Sequence, residues 1–407
     1  MTPVVRVAVL SLHSSPLVQP GMGDSGGMNV YVRELVSSLA HAGADCSVYV
    51  RSWRPGLPPV HHVEPGFDVV HVPAGPYRLD KHQLPQVADA FALGVSEHLR
   101  RGRPADVLHA NYWLSGMAGH RLKHELDLPL VSTFHTLARV KADAGDPEPG
   151  RRADIEAGII DCSDAVLASC TAEAQQLQRY YGADPGRIEV VPPGVDHALF
   201  SPGPRRGARA AVGLGSYPVL LFVGRVQPLK GLDVAVEALA AVQRRDTRLE
   251  VIGGPSGPDG HAELDRIVGL AHRLDVSDRV RFVAPQPHHV LSTYYRAADV
   301  VLVPSRSESF GLVALEAAAC AAPVVASSVG GLATLVDPGR TGFLVADRQP
   351  TGFATAVDRL LADPVLAMAM GTQAAARARG YSWAGAAGRL RRLFNDLTVR
   401  SLVDCVA

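Results

Sequence analysis

Two stretches of alternating strand and helix patterns, separated by a single break, constrain this chain more than any other feature of its sequence. In the first stretch, the short apolar runs VVRVAVLSL, CSVYV, DVVHV, VLHA, PLVSTF, AVLAS and IEVVPPG alternate with amphipathic segments such as MNVYVRELVSSLAHAG and TAEAQQLQRYYG. Near-continuous β-branched runs suit strands buried on both faces, so the alternation predicts βα units and a parallel sheet covered by helices. The rhythm lapses over residues 195–218, where VDHALFSPGPRRGARAAVGLGSYP is rich in proline, glycine and arginine, as interdomain linkers are. It then restarts with VLLFVGR, RLEVIGG, VRFVAPQ, VVLVPS, PVVASS and GFLVA, and the chain ends in the amphipathic WAGAAGRLRRLFNDLTV. A length of 407 residues supports two cores better than one. The expected fold is α/β: two Rossmann-like, doubly wound parallel-sheet domains facing each other across a cleft. They are expected over residues 1–200 and 201–380, with residues 381–407 a helix crossing back to the first. Open α/β sheets bind ligands outside the carboxyl ends of their strands, so loops from both halves are expected to meet there.

Composition narrows the partners. Lysine plus arginine and aspartate plus glutamate balance at 40 each, which removes bulk charge as a drive toward nucleic acid or an anionic membrane. The longest apolar candidate, GLVALEAAACAAPVVA, contains a glutamate and a proline, and the N-terminus lacks a signal-peptide pattern. Small molecules are the expected partners, a homodimer is left open, and a cytoplasmic location is expected. Cys46, Cys162, Cys170, Cys320 and Cys405 form no CxxC pair, so they read as buried or incidental thiols in a reducing compartment, with no zinc site.

The motifs fall at strand ends. GDSGGMNVY, Gly23 to Tyr31, is not G-x-G-x-x-G; its pair Gly26 and Gly27 before a helix reads equally as a tight turn or as backbone donors facing an anion. GRVQPLKG sets Arg225 and Lys230 around a turn before a helix, either a receptor for a diphosphate or a solvated surface turn. No Asp-x-Asp pair exists for a divalent metal, and no metal ligands are expected. In SESFGLVALEAAACAAPVVAS, Glu308 precedes a helix opened by Gly311, and Glu316 lies on it among alanines. An unpaired carboxylate there would be costly, and the two hydroxyls of a ribose would satisfy it. The glycine pairs in IGGPSGP and SSVGGLATLV, Gly253–Gly254 and Gly330–Gly331, bring close-approach backbone to the same sheet edge. In STFHTLARVK, His135 follows an apolar strand and would point into the cleft, although such a histidine is more often simply packed.

Taken together, GRVQPLKG and the E-x7-E arrangement of Glu308 and Glu316 resemble the donor-site signatures of the retaining family-4 glycosyltransferases of GT-B architecture. The likeness spans nearly the whole chain. HSSPLVQPGMGDSGGMNVY, AGPYRLDKHQLP, NYWLSG, HTLARVK and IGGPSGP are most similar to members that glycosylate an inositol phosphate in mycothiol biosynthesis. The resemblance implies a nucleotide-sugar donor as co-substrate, UDP ahead of GDP, and no further cofactor. It implies that Arg225 and Lys230 take the donor diphosphate, Glu316 the ribose and Glu308 the transferred sugar, with Gln19, Pro20, Gly27 and Gly311 nearby. It implies an acceptor, 1D-myo-inositol 3-phosphate, whose ring meets His13 and the loop Asp24, Ser25, Gly26, Gly27, Met28 and Asn29. Lys81, Tyr112, Thr136 and Arg152 would grip its phosphate, and His135 would orient the acceptor or act through its neighbouring carbonyl. The chain reads STFHTL and HANYW where those members read HTAHTL and HSHYW, changes that border the acceptor side. Sucrose-phosphate-synthase-like enzymes share much of the pattern.

Overall fold

A computed structural model describes residues 4–21, 25–146, 150–257 and 259–405. The chain divides into two compact units. Unit 1 comprises residues 1–18, 28–192 and 383–407, and unit 2 comprises residues 19–27 and 193–382. Residues 19–27, left with the first half by the sequence pattern, make their contacts with unit 2.

The sheet of unit 1 is built from β1 (Arg6–Leu10), β2 (Asp45–Arg51), β3 (Val60–Glu64), β4 (Phe67–Val72), β5 (Val107–Asn111), β6 (Leu130–Thr133), β7 (Ala165–Ala168) and β8 (Ile188–Val190). The strands lie in the order β3-β4-β2-β1-β5-β6-β7-β8. Its helices begin with α1 (Gly27–His41), α2 (Ala88–Arg101), α3 (Trp113–Leu126), α4 (Ala138–Asp143), α5 (Arg152–Cys162) and α6 (Thr171–Tyr181). The pairs are parallel except β3 with β4, an antiparallel hairpin at one edge. The sequence pattern misses β3 because its VHHVE is largely solvated, and an edge strand needs no apolar run.

Unit 2 runs α7 (Arg205–Ala211), β9 (Val219–Val223), α8 (Leu232–Ala241), β10 (Arg248–Ile252), α9 (Gly260–Arg273), β11 (Val280–Val283), α10 (His288–Ala297) and β12 (Val300–Val303). It continues through α11 (Leu312–Ala319), β13 (Val324–Ser327), α12 (Gly330–Leu335), β14 (Gly342–Val345), α13 (Pro350–Ala362) and α14 (Pro364–Ala378). Its strand order is β11-β10-β9-β12-β13-β14, parallel throughout. The sheet is apolar because helices cover it: all four residues of VVLV in β12 are buried, and Leu220, Phe222, Leu239, Val251 and Phe353 belong to one core cluster.

The last helix, α15 (Trp383–Leu397), belongs to unit 1. It buries Trp383, Leu390, Leu393, Phe394 and Leu397, with Trp383 edge-on to Tyr31 of α1 and Phe394 against His109 of β5. Strand order reverses beside β1 in unit 1 and beside β9 in unit 2, where loops leave in opposite directions and open a crevice at the carboxyl ends. Among the described residues no helix is long and apolar enough to cross a membrane.

The cysteines correct the sequence reading. Cys46, Cys170 and Cys320 are buried thiols, whereas Cys162 and Cys405 are joined as a disulfide, with Cα atoms 5.3 Å apart. A pairing across 243 residues leaves no trace in spacing.

Candidate active site

In unit 2 the predicted donor residues gather around the switch point. Arg225 and Lys230 sit in the turn after β9, and their side chains part to opposite sides. Arg225 Nη1 donates to Ser256 Oγ at 3.2 Å on the β10 side, where Gln227 Nε2 also donates at 3.1 Å. Lys230 Nζ donates to Glu308 Oε2 at 2.7 Å on the β12 side, and the Ser305 hydroxyl donates to the same oxygen at 3.2 Å. Both side chains of this ion pair remain partly exposed, at 24% for Lys230 and 19% for Glu308, so a ligand can compete for either. Gly231 ends the turn at φ 71°, and a Cβ there would collide with the Pro304 carbonyl.

The second glycine pair holds Glu308 in place. A Cβ on Gly330, at φ 44°, would strike the Glu308 carbonyl oxygen, and Gly331 N–H donates to that oxygen at 2.9 Å. Gly311, at φ 100°, caps α11 against Leu332. These glycines let backbone approach backbone, fixing the loop that carries the carboxylate.

Residues 19–21 and 25–27 seat on the same unit. Gln19 Nε2 donates to the Pro285 carbonyl at 3.2 Å, Pro20 is half-buried, and Gly21 N–H donates to the Ser25 carbonyl at 2.8 Å. A Cβ on Gly26 would lie 3.2 Å from Arg225 Nε, and one on Gly27 would lie 3.5 Å from Leu312. The glycine pair of the opening loop therefore lets backbone pass beside the Arg225 guanidinium. Asp24 lies outside the described residues.

Glu316 corrects the expectation of an unpaired carboxylate. It is buried on α11, but the Tyr295 hydroxyl from α10 donates to its Oε2 at 2.8 Å. Burial and the Glu316 charge push the Tyr295 pKa well above its ordinary value, so this donor stays protonated.

In unit 1, three predicted acceptor residues, Arg152, Lys81 and His13, converge on Tyr112. Arg152 Nη1 donates to its hydroxyl at 3.1 Å, with the guanidinium carbon 4.9 Å from the ring centroid. Lys81 Nζ lies 5.0 Å from the same centroid, and the His13 ring centroid is 4.6 Å away. Arg152 Nη2 donates to Thr136 O at 2.7 Å and to Thr136 Oγ1 at 3.0 Å, while its Nε donates to the buried Glu156 at 2.7 Å. Arg152 is thus buried and braced, and Lys81 is the exposed cation of the pair. Asn29 Nδ2 donates to Ser14 Oγ and Ser15 O, both at 2.6 Å, shaping the loop that carries His13. Met28 packs on the core of unit 1.

His135 pairs with Asn111 Oδ1 at 2.9 Å and meets Tyr31 edge-on. Burial, reinforced by His109, lowers its pKa to about 3, so the ring is neutral at physiological pH and donates through Nε2. Tyr112 and His135 hold φ of 75° and 61°, two of six non-glycine residues with positive φ among the described residues. Backbone strain at such bulky residues costs about 1–3 kcal/mol each and tends to mark functional sites.

Residues 25–199 match the family described as Glycosyltransferase Family 4, and residues 207–377 match Glycosyl transferases group 1. The chain is a family-4 glycosyltransferase of GT-B architecture. It is 47% identical to a D-inositol 3-phosphate glycosyltransferase of Actinosynnema mirum over 93% of this chain and 94% of the relative. It is 46% identical to D-inositol 3-phosphate glycosyltransferase 2 of Catenulispora acidiphila over 98% and 96%. Among solved structures, sucrose-phosphate synthase from Thermosynechococcus elongatus superposes with a TM-score of 0.90 at 32% identity, covering 97% of this chain and 99% of that one. Anabaena HepE in complex with UDP-glucose shares the fold, with a TM-score of 0.78 at 19% identity over 96% and 99%.

The structure of this glycosyltransferase also brings in residues that sequence reasoning passed over. Ser256, Ser305, Tyr295, Glu156 and Asn111 each fix a predicted site side chain by a hydrogen bond. Ser256 lies within the quoted IGGPSGP and Ser305 just before SESFG, so position near a motif is the signal available for those two.

Proposed function

We propose that this glycosyltransferase moves a hexose or N-acetylhexosamine from a UDP-sugar to 1D-myo-inositol 3-phosphate, with retention at the anomeric carbon. The carrying observation is the gathering in unit 1 of Lys81 and Arg152 on Tyr112, with the Thr136 hydroxyl bonded to Arg152, two cations and a hydroxyl suited to an acceptor phosphate. Relatives at 46–47% identity bear the name of that activity.

Unit 2 holds the donor. Arg225 and Lys230 neutralise the diphosphate as it departs, and Lys230 trades Glu308 for a more highly charged partner. Glu308, released, accepts from hydroxyls of the transferred sugar, and Glu316, oriented by Tyr295, accepts from the ribose. The Ser305 hydroxyl still donates to Glu308 Oε2, and the sugar hydroxyls occupy its other lone pairs, which makes that carboxylate a poor covalent nucleophile. Retention then follows from attack on the face the diphosphate leaves, with the departing phosphate oxygen taking the acceptor proton. A neutral His135 supplies no positive charge; its backbone carbonyl is the group that can face developing positive charge on the sugar.

The likeness to sucrose-phosphate synthase supports a second acceptor of the same chemistry, a ketose phosphate. Nucleoside diphosphate release is the test, with UDP-N-acetylglucosamine, UDP-glucose and the GDP-sugars each offered with inositol 3-phosphate, free inositol or fructose 6-phosphate. Release stimulated by inositol 3-phosphate, giving an α-linked product by NMR, is expected. Stimulation by fructose 6-phosphate alone would replace the acceptor, and stimulation by free inositol as strong as by its phosphate would remove the phosphate grip.

A further inference from the structure

In unit 1, four metal-ligating side chains from three segments converge around the Cys162–Cys405 disulfide. His120 and His124 stand four residues apart on α3 and so share one face of the helix. Cys162 ends α5, and Cys405 arrives on the stretch after α15. One donor atom from each lies within 4.8 Å of all the others. His124 Nε2 is 3.4 Å from Cys162 Sγ and 3.4 Å from Cys405 Sγ. Around a tetrahedral zinc with ordinary bond lengths, the sulfur-to-nitrogen edge is about 3.5 Å.

The surrounding scaffold does not depend on the sulfur–sulfur bond. Lys123, beside His124, is 2% exposed and donates to the Cys162 carbonyl at 2.8 Å and to both carboxylate oxygens of Asp164. Asp164 Oδ1 in turn accepts from Val403 N–H at 2.7 Å, two residues before Cys405. A buried ion pair thus positions both cysteine-bearing segments against the histidine face. A disulfide by itself has no use for two histidines at its side.

We propose that in its dithiol state the protein binds one zinc ion through His120, His124, Cys162 and Cys405. The set is two imidazoles and two thiolates, the donor chemistry of structural zinc. Reduction by a small dithiol passes two electrons and two protons to the disulfide, leaving the reductant as its own cyclic disulfide. Zinc then displaces the two thiol protons. The ion ties the end of the chain to α3 and α5 under reducing conditions, and the disulfide does so under oxidising ones.

The test takes the full chain, reduced with a phosphine, loaded with zinc and freed of unbound metal by gel filtration. About one zinc per chain by mass spectrometry is expected, with a raised Tm. Cobalt in place of zinc should give tetrahedral d–d bands and a thiolate-to-cobalt charge-transfer band. Cys405→Ser lies outside any helix or strand and spares the fold; it should weaken cobalt binding at least about tenfold and diminish the charge-transfer band. His124→Ala, with folding checked by circular dichroism, should do the same. Well under one zinc per chain, a cobalt spectrum without thiolate bands, indifference to Cys405→Ser, or a disulfide that survives the reductant would each overturn the site.

Discussion

The Lys230 ammonium lies 2.7 Å from the Glu308 carboxylate, a pairing across 78 residues that joins the loop after β9 to the loop after β12. Each partner holds the other in place, and under the proposed function the donor diphosphate would claim Lys230. Lys230→Ala should therefore lower kcat by about 10²–10³-fold, the usual cost of losing one group that stabilises developing charge. Because the pair is partly exposed, Tm should barely move. Steady-state diphosphate release beside a melting curve checks both, and near-normal turnover would remove Lys230 from the chemistry.

Tyr295→Phe deletes the hydroxyl that donates to Glu316 and leaves a buried carboxylate short of a partner. Stability should fall by about 1–3 kcal/mol. Donor KM should rise while acceptor KM stays put. Urea unfolding and separate donor and acceptor titrations distinguish the two effects.

Lys81 and Arg152 touch the same tyrosine but should fail differently. Lys81→Ala, at an exposed position, should change stability by less than about 0.5 kcal/mol. It should raise KM for a phosphorylated acceptor and leave that for an unphosphorylated one unchanged. Arg152→Ala leaves the buried Glu156 without its cationic partner and should cost about 3–5 kcal/mol, visible as a large drop in urea midpoint.

Two desolvated histidines, His109 and His135, predict an acid-sensitive fold. Burial lowers His109 from 6.5 to about 4 and His135 from 6.5 to about 3. Below pH 6.5 the unfolded chain takes up protons that the folded chain refuses, so stability falls as pH drops from 6.5 toward 4. Above that window both states are neutral and these groups contribute no slope. Melting curves against pH should show the decline, and His109→Gln should flatten it; an unchanged slope in that variant would rule out His109 as its source.

Much of this was legible in the sequence because buried parallel strands advertise themselves. VLLFV, VVLV and VVAS are strands β9, β12 and β13, and Arg225, Lys230 and Glu308 lie just beyond the first two, where the pattern sets them. The Glu316 environment was half legible. Its alanine neighbours announced burial, but Tyr295 approaches from another helix 21 residues earlier, and only the fold brings the two together. The strain at Tyr112 and His135 is a backbone property that residue type does not encode. The solvated edge strand β3 and the Cys162–Cys405 pairing carried no local pattern at all.

Because α15 completes unit 1 only after unit 2 has been spelled out, synthesis on the ribosome imposes an order. Roughly 190 residues separate Pro192 from Trp383, a delay of about 10–40 s at ordinary elongation rates. Through that interval the earlier unit waits with the seat for Trp383, Leu390 and Phe394 uncovered, while the later one can already fold beneath it in the exit path. The nascent chain is thus most in need of a chaperone before α15 emerges.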